Sequence, residues 1–179
     1  MRRKAAAGGF ALALFFILHG CTGGGEAPPG AYTSAEFGFS IVFPEGWEVE
    51  EPGGGELPVV AASLIPKGEP GIMLAYVAVE IDDLDDAVTL EEYAGRIRSE
   101  QSRDAKYFSE HEYGEIRIDG RKARYLFIDV DWEDSTLRLL GYILVDKRKG
   151  YLITCGAIPD EFERYQAIFR QTARSFRIE

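Results

Sequence analysis

Four successive runs in the second half of this chain, Tyr107 to Ile118, Ala123 to Trp132, Thr136 to Val145 and Tyr151 to Ala157, are rich in β-branched, aromatic and aliphatic residues. Only a few residues separate each from the next, and those connections include Asp119-Gly120 and Lys149-Gly150. Such segments read as strands, and connections this short leave no room for a crossover helix. The four must therefore pair antiparallel as a meander, with Asp119-Gly120 and Lys149-Gly150 expected as hairpin turns. This constraint sets a largely antiparallel sheet at the centre of whatever the chain builds.

The first half adds shorter strands. Phe37, Phe39, Ile41 and Phe43 alternate, which places four apolar side chains on one strand face. Phe43-Pro44-Glu45-Gly46 follows with Pro second and Gly fourth, the order of a type I turn. Trp47 to Glu50 resumes the alternation, Glu51 to Gly55 is a loop, and Pro58 to Ile65 and Ile72 to Ile81 are further strands around the turn-rich Pro66 to Gly71.

Two helices interrupt the strands. Thr89 and Glu92 have the spacing of a capping box, followed by the apolar stripe Leu90, Tyr93, Ala94 and Ile97 and an outward Glu92–Arg96 pair. A second helix begins near Pro159-Asp160, with acids at its front, arginines at its end and Phe162, Tyr165, Phe169, Ala173 and Phe176 on its buried side. Strand runs flanked by two separate helices indicate α+β in a single domain, residues 32–179.

Residues 1–20 stand apart. Arg2, Arg3 and Lys4 precede Ala5 to Leu18, which contains only apolar side chains and glycine. That run is shorter than the ~20 residues a spanning helix needs and fits a secretory leader. It ends in Leu18-His19-Gly20-Cys21, which resembles a bacterial lipobox, although His19 stands where that signal usually has a small residue. The resemblance implies a lipidated Cys21 as the mature amino terminus, a lipoprotein carrying palmitate or similar chains. An ordinary cleaved signal or an uncleaved anchor is the alternative. Residues 21–31 then form a Gly/Pro tether with a reach of about 17 Å.

Residues 32–47, Tyr-Thr-Ser-Ala-Glu-Phe-Gly-Phe-Ser-Ile-Val-Phe-Pro-Glu-Gly-Trp, resemble the opening of the PsbP-like superfamily. That group includes a photosystem II extrinsic subunit and DcrB-type bacterial lipoproteins. The likeness extends to the helix start Thr89-Leu90-Glu91-Glu92-Tyr93, to Asp119-Gly120-Arg121 and to Ser175-Phe176. It implies an α/β/α sandwich around an antiparallel sheet, and accessory or binding roles rather than catalysis. The family pattern has no catalytic residue to carry over.

Residue chemistry narrows the function further. With 20 Lys+Arg against 30 Asp+Glu, the formal charge is -10. Loss of the leader removes three positive charges and takes it to -13, so the chain lacks the basic balance that phosphate backbones require, which argues against nucleic acid as the natural partner. Gly53-Gly54-Gly55 is not followed by the Gly-Lys-Ser/Thr of a P-loop, and no His/Cys set suits zinc. His111 is the one histidine beyond the leader and reads as a surface residue. Cys155 reads as a buried, inert thiol.

Two acidic clusters, Asp82, Asp83, Asp85 and Asp86, and Asp129, Asp131, Glu133 and Asp134, carry enough carboxylates for a weak Ca²⁺ site but lack EF-hand spacing. Solvated acidic loops are the expectation for both. Lys147-Arg148-Lys149 is the basic cluster, expected at a turn. No cofactor and no catalytic set is expected. The chain therefore reads as a membrane-anchored envelope lipoprotein, non-enzymatic, acting as an accessory or binding module for an envelope protein. The competing reading is a carrier of a small apolar ligand or lipid in a cleft between sheet and helix; a third is a hydrolase whose site the residue pattern does not reveal.

Overall fold

The structure, a computed structural model, describes residues 29–51, 58–65, 73–85, 88–132 and 135–179, apart from the side chains of Asp104 and Trp132. The leader, Cys21, most of the tether, the Pro66–Gly71 connection, Asp86, Glu133 and Asp134 lie outside them. Ten strands and two helices follow in order: β1 (Tyr32–Ser34), β2 (Phe39–Ile41), β3 (Glu48–Glu50), β4 (Val60–Leu64), β5 (Ala75–Asp83), α1 (Leu90–Asp104), β6 (Phe108–Ile118), β7 (Arg121–Trp132), β8 (Ser135–Asp146), β9 (Lys149–Ala157), α2 (Pro159–Ser175) and β10 (Arg177–Ile178). Among the described residues no helix is long and apolar enough to cross a membrane.

The main sheet is antiparallel, in the order β3-β4-β5-β9-β8-β7-β6, so the meander expected from β6 to β9 is present. Asp119-Gly120 forms its first turn, with φ of 52° and 71° at the two central positions. A type I′ turn requires positive φ at both, which Asp tolerates and Gly adopts without strain. The last turn is not Lys149-Gly150. Asp146 pairs with Lys149, so Lys147-Arg148 makes the turn, with Lys147 at φ 53°, and Gly150 is inside β9. The glycine serves packing instead: a Cβ there would overlap the ring of Tyr93 in α1.

The period-two pattern assigns each face of the sheet to one helix. Phe127, Leu140, Cys155, Val77 and Ala62 form one registered row across five strands, and Tyr125, Tyr142, Ile153, Val79 and Val60 form the next. These rows pack on Phe162, Tyr165, Phe169 and Ala173 of α2. On the opposite face Ile143 and Leu152 meet Tyr93, Ala94 and Ile97 of α1. The layers are thus α1, sheet, α2.

The capping box at Thr89 is complete. Glu92 N donates to Thr89 Oγ1 (3.2 Å) and Thr89 N donates to Glu92 Oε2 (2.9 Å). The bond from Thr89 N, with a second from Thr89 Oγ1 (2.8 Å), holds the Glu92 carboxyl below its ordinary range. With Glu92 engaged at the cap, Arg96 reaches Asp82 (3.0 Å) instead of its neighbour four residues back.

The opening strand is shorter than its alternation implies. Gly38 takes φ 68° and Val42 N is held by Ser175 Oγ (2.8 Å), which leaves only Phe39 to Ile41 in ladder geometry. β2 sits between β1 and the C-terminal β10 in a separate three-stranded sheet. That small sheet joins the α2-side core through Phe39, whose ring stacks on Phe176 at 5.4 Å.

Thr89→Ala removes one cap and is expected to cost about 1 kcal/mol. Gly150→Ala forces Tyr93 from its site and is expected to cost roughly 1–3 kcal/mol by overpacking. Urea unfolding monitored by far-UV circular dichroism measures both.

Candidate functional site

The outer flank of α2 carries an open concavity. Pro44 opens a turn closed by a bond from Trp47 N to Pro44 O (3.3 Å), with Gly46 third at φ 80°. Positive φ at that position is the mark of a type II turn, so the turn lies one residue later than the type I reading. Its effect is to drive Trp47 edge-on into Tyr165 and Phe169, with centroids 6.3 and 6.4 Å apart and ring planes at 82° and 90°. Such edge-to-face contacts favour a fixed geometry over a sliding one.

Ser175, at the last turn of α2, completes the attachment. Its hydroxyl donates to Thr172 O (2.6 Å) and accepts from Val42 N (2.8 Å). Between the β2–β3 connection and α2 this leaves an open groove of about 470 Å³, walled by Val42, Phe43, Pro44, Trp47, Ile168 and Thr172, with Glu45, Gln171 and Ser175 also lining it. Tyr32 lies against Phe43, ring centroids 6.0 Å apart. Burial and a hydrogen bond from Tyr32 to Glu51 raise its phenol to about 12.

Between α1 and the sheet the situation is different. The cavity there, walled by Ile97, Leu126, Ile128, Leu139, Ile143 and Leu152, with Gln101, Gly141 and Thr154 also lining it, has a volume of about 20 Å³, room for one water molecule.

The residues singled out from the sequence fall in separate places. Asp82, at the end of β5, accepts from Tyr93 Oη and Arg96 Nη2, each 3.0 Å away. Asp83 and Asp85 are exposed, and the described residues contain no group of three His, Cys, Asp or Glu side chains placed to share a metal ion. Glu80, on the same face as Asp82, is pushed above the usual carboxylate range by burial and by Asp82.

Cys155 is fully buried, and burial pushes its thiol well up, leaving it protonated. Lys149 Nζ donates to Phe37 O (3.3 Å) and Arg148 Nε to Leu84 O (3.4 Å), so the basic turn is tied to neighbouring backbone.

One cluster was not legible from composition. Asp129 does not lie in a solvated loop; it is buried in β7 directly opposite Arg138 of β8. Arg138 Nε and Nη2 donate to its two oxygens at 2.8 and 2.9 Å, and His111 Nε2 lies 3.0 Å from Oδ2. A register shift between Glu110 and Glu112 makes His111 the extra residue of a bulge and sets its ring 5.0 Å from that of Phe127. The Arg138 bonds, aided by His111, hold the Asp129 carboxyl below its ordinary range. The readable signal was spacing, because the pairing of Trp132 with Ser135 puts Asp129 and Arg138 in register.

No protein-family model and no curated protein sequence matches this chain. Solved structures do. Cyanobacterial PsbP (CyanoP) from Synechocystis sp. PCC 6803 superposes with a TM-score of 0.63 at 17% identity, over 90% of this chain and 99% of that one. LpqN of Mycobacterium tuberculosis, described as involved in cell envelope biogenesis, gives 0.59 at 12% identity over 83% and 90%. Protein PA94 of Pseudomonas aeruginosa gives 0.57 at 16% over 80% and 92%. At these identities the likeness establishes a shared fold, the PsbP-like one expected from residues 32–47.

Arg138→Leu leaves Asp129 buried without its main partner, an expected loss of roughly 3 kcal/mol at pH 7. A carboxyl depressed in the folded state contributes stability above its unfolded pKa and loses that contribution as pH falls. The gap between wild type and variant, from urea midpoints across pH, therefore holds near neutrality and narrows below about pH 4.

Proposed function

We propose that this chain is a lipid-anchored envelope protein working as a non-enzymatic accessory or protein-binding module. The observation that carries the reading is where space lies. A carrier of an apolar ligand needs an interior of several hundred Å³. The cavity between sheet and α1 holds about 20 Å³, while the larger concavity opens outward along α2. Among the described residues Glu80, Asp129 and Cys155 owe their displaced pKa values to burial or to structural pairing.

Anchoring is supported by the lipobox-like Leu18-His19-Gly20-Cys21 and by the tether that follows it. The fold shared with LpqN, a protein of cell envelope biogenesis, agrees with that location. Cys21 would be the acylated residue, with two or more chains needed for stable retention on the bilayer.

The test is expression of the whole chain in a bacterium that processes lipoproteins. Mass spectrometry of the mature amino-terminal peptide is expected to show acylated Cys21, and Cys21→Ala is expected to leave the membrane fraction. Affinity capture with the acylated protein from envelope extract is expected to recover one protein in stoichiometric amount. An unmodified Cys21, or a membrane-retained Cys21→Ala chain, would contradict the anchor; capture of no stoichiometric protein would contradict the module.

A further inference from the structure

We infer that the groove along α2 receives an acidic, aromatic-bearing peptide segment of a partner protein: an apolar side chain enters between Trp47 and Ile168, and flanking carboxylates meet Arg170 and Arg174. This rests on the reading of the domain as a binding module and names the partner's chemistry.

Charge distribution carries the inference. The chain has an excess of ten acids overall, yet from Arg164 to Ile178 it has four arginines and no Asp or Glu. Two of the four are engaged, Arg164 with Glu161 (3.5 Å) and Arg177 with Asp119 (3.7 Å). Arg170 and Arg174 are exposed, one helical turn apart, and have no ion pair among the described residues. They flank Gln171, which also lines the apolar groove. An acidic protein surface elsewhere repels acidic partners, so this row of cations selects where such a partner can approach.

The groove supplies what the arginines lack. Val42, Phe43, Pro44, Trp47 and Ile168 give it an apolar floor held open by the Trp47 contacts and the Ser175 bonds, so docking needs little reordering. Glu45, on the opposite wall from the arginines, sets direction, because a bound carboxylate is repelled there and drawn to the Arg170 side.

The probe is the synthetic peptide Glu-Glu-Phe-Pro-Glu-Glu, amino-acetylated, with Lys-Lys-Phe-Pro-Lys-Lys as its control. It is titrated into the isotopically labelled chain from Cys21 onward, which contains every described element. Saturable amide shifts are expected in residues 42–47 and 168–175, with the lysine peptide producing none. The exposed double change Arg170→Glu/Arg174→Glu leaves the core intact and is expected to weaken binding about tenfold, from two exposed ion pairs lost and reversed. Equal binding of both peptides, shifts elsewhere in the protein, or unchanged affinity in the double variant would overturn the inference. So would phosphatidylglycerol vesicles shifting residues 168–175 while the acidic peptide does not. Because the titration needs neither acylation nor a captured protein, its failure is separate from failure of the anchored-module reading.

Discussion

The packing of α2 on the seven-stranded sheet is the contact on which the remaining architecture depends. Phe162, Phe169 and Ala173 are fully buried between the helix and two registered rows of strand side chains. Each large aromatic of this kind stabilises by several kcal/mol when its site is filled. The same helix receives Trp47 on one flank and, through Ser175, holds the strand that joins the small sheet to the large one. Placement of the groove and of the arginine row both follow from that docking.

The interior that this docking creates is closely filled. Cys155 sits in the middle of a core row, where burial raises its thiol. The ion pair of Asp129 and Arg138 closes a polar gap near the far edge of the sheet instead of presenting an acid to solvent. Strand β6 is one of the sheet's two edges, and its bulge at His111, with Glu110, Glu112 and Glu115 along it, discourages pairing with another strand. That edge is thereby guarded against strand addition.

Much of this was legible in local pattern. The capping box, the helix stripes and the four-strand meander are short-range signals, and each folds as its spacing dictates. Features set by tertiary context were less so. Phe37 to Phe43 alternates like one strand, but Gly38 turns the chain and Ser175, more than a hundred residues away, captures the amide of Val42. Lys149-Gly150 has turn composition, yet Gly150 is reserved for the close approach of Tyr93, and Lys147 takes the positive φ. Asp129 counted as one of four neighbouring acids until register placed it opposite Arg138. Groove and arginine row depend on which helix face stays outward, and no periodicity in residues 164–178 states how Trp47 would flank them.

The central claim is that the space between the sheet and α1 is too small for a ligand. Titration of the purified protein with a fluorescent fatty-acid analogue tests it directly. The account predicts no saturable binding and no displacement by unlabelled lipid, because the space between sheet and α1 admits one water molecule. A one-to-one isotherm, with protection of Ile97 and Leu126 from exchange with solvent, would contradict it and return the molecule to the class of carriers.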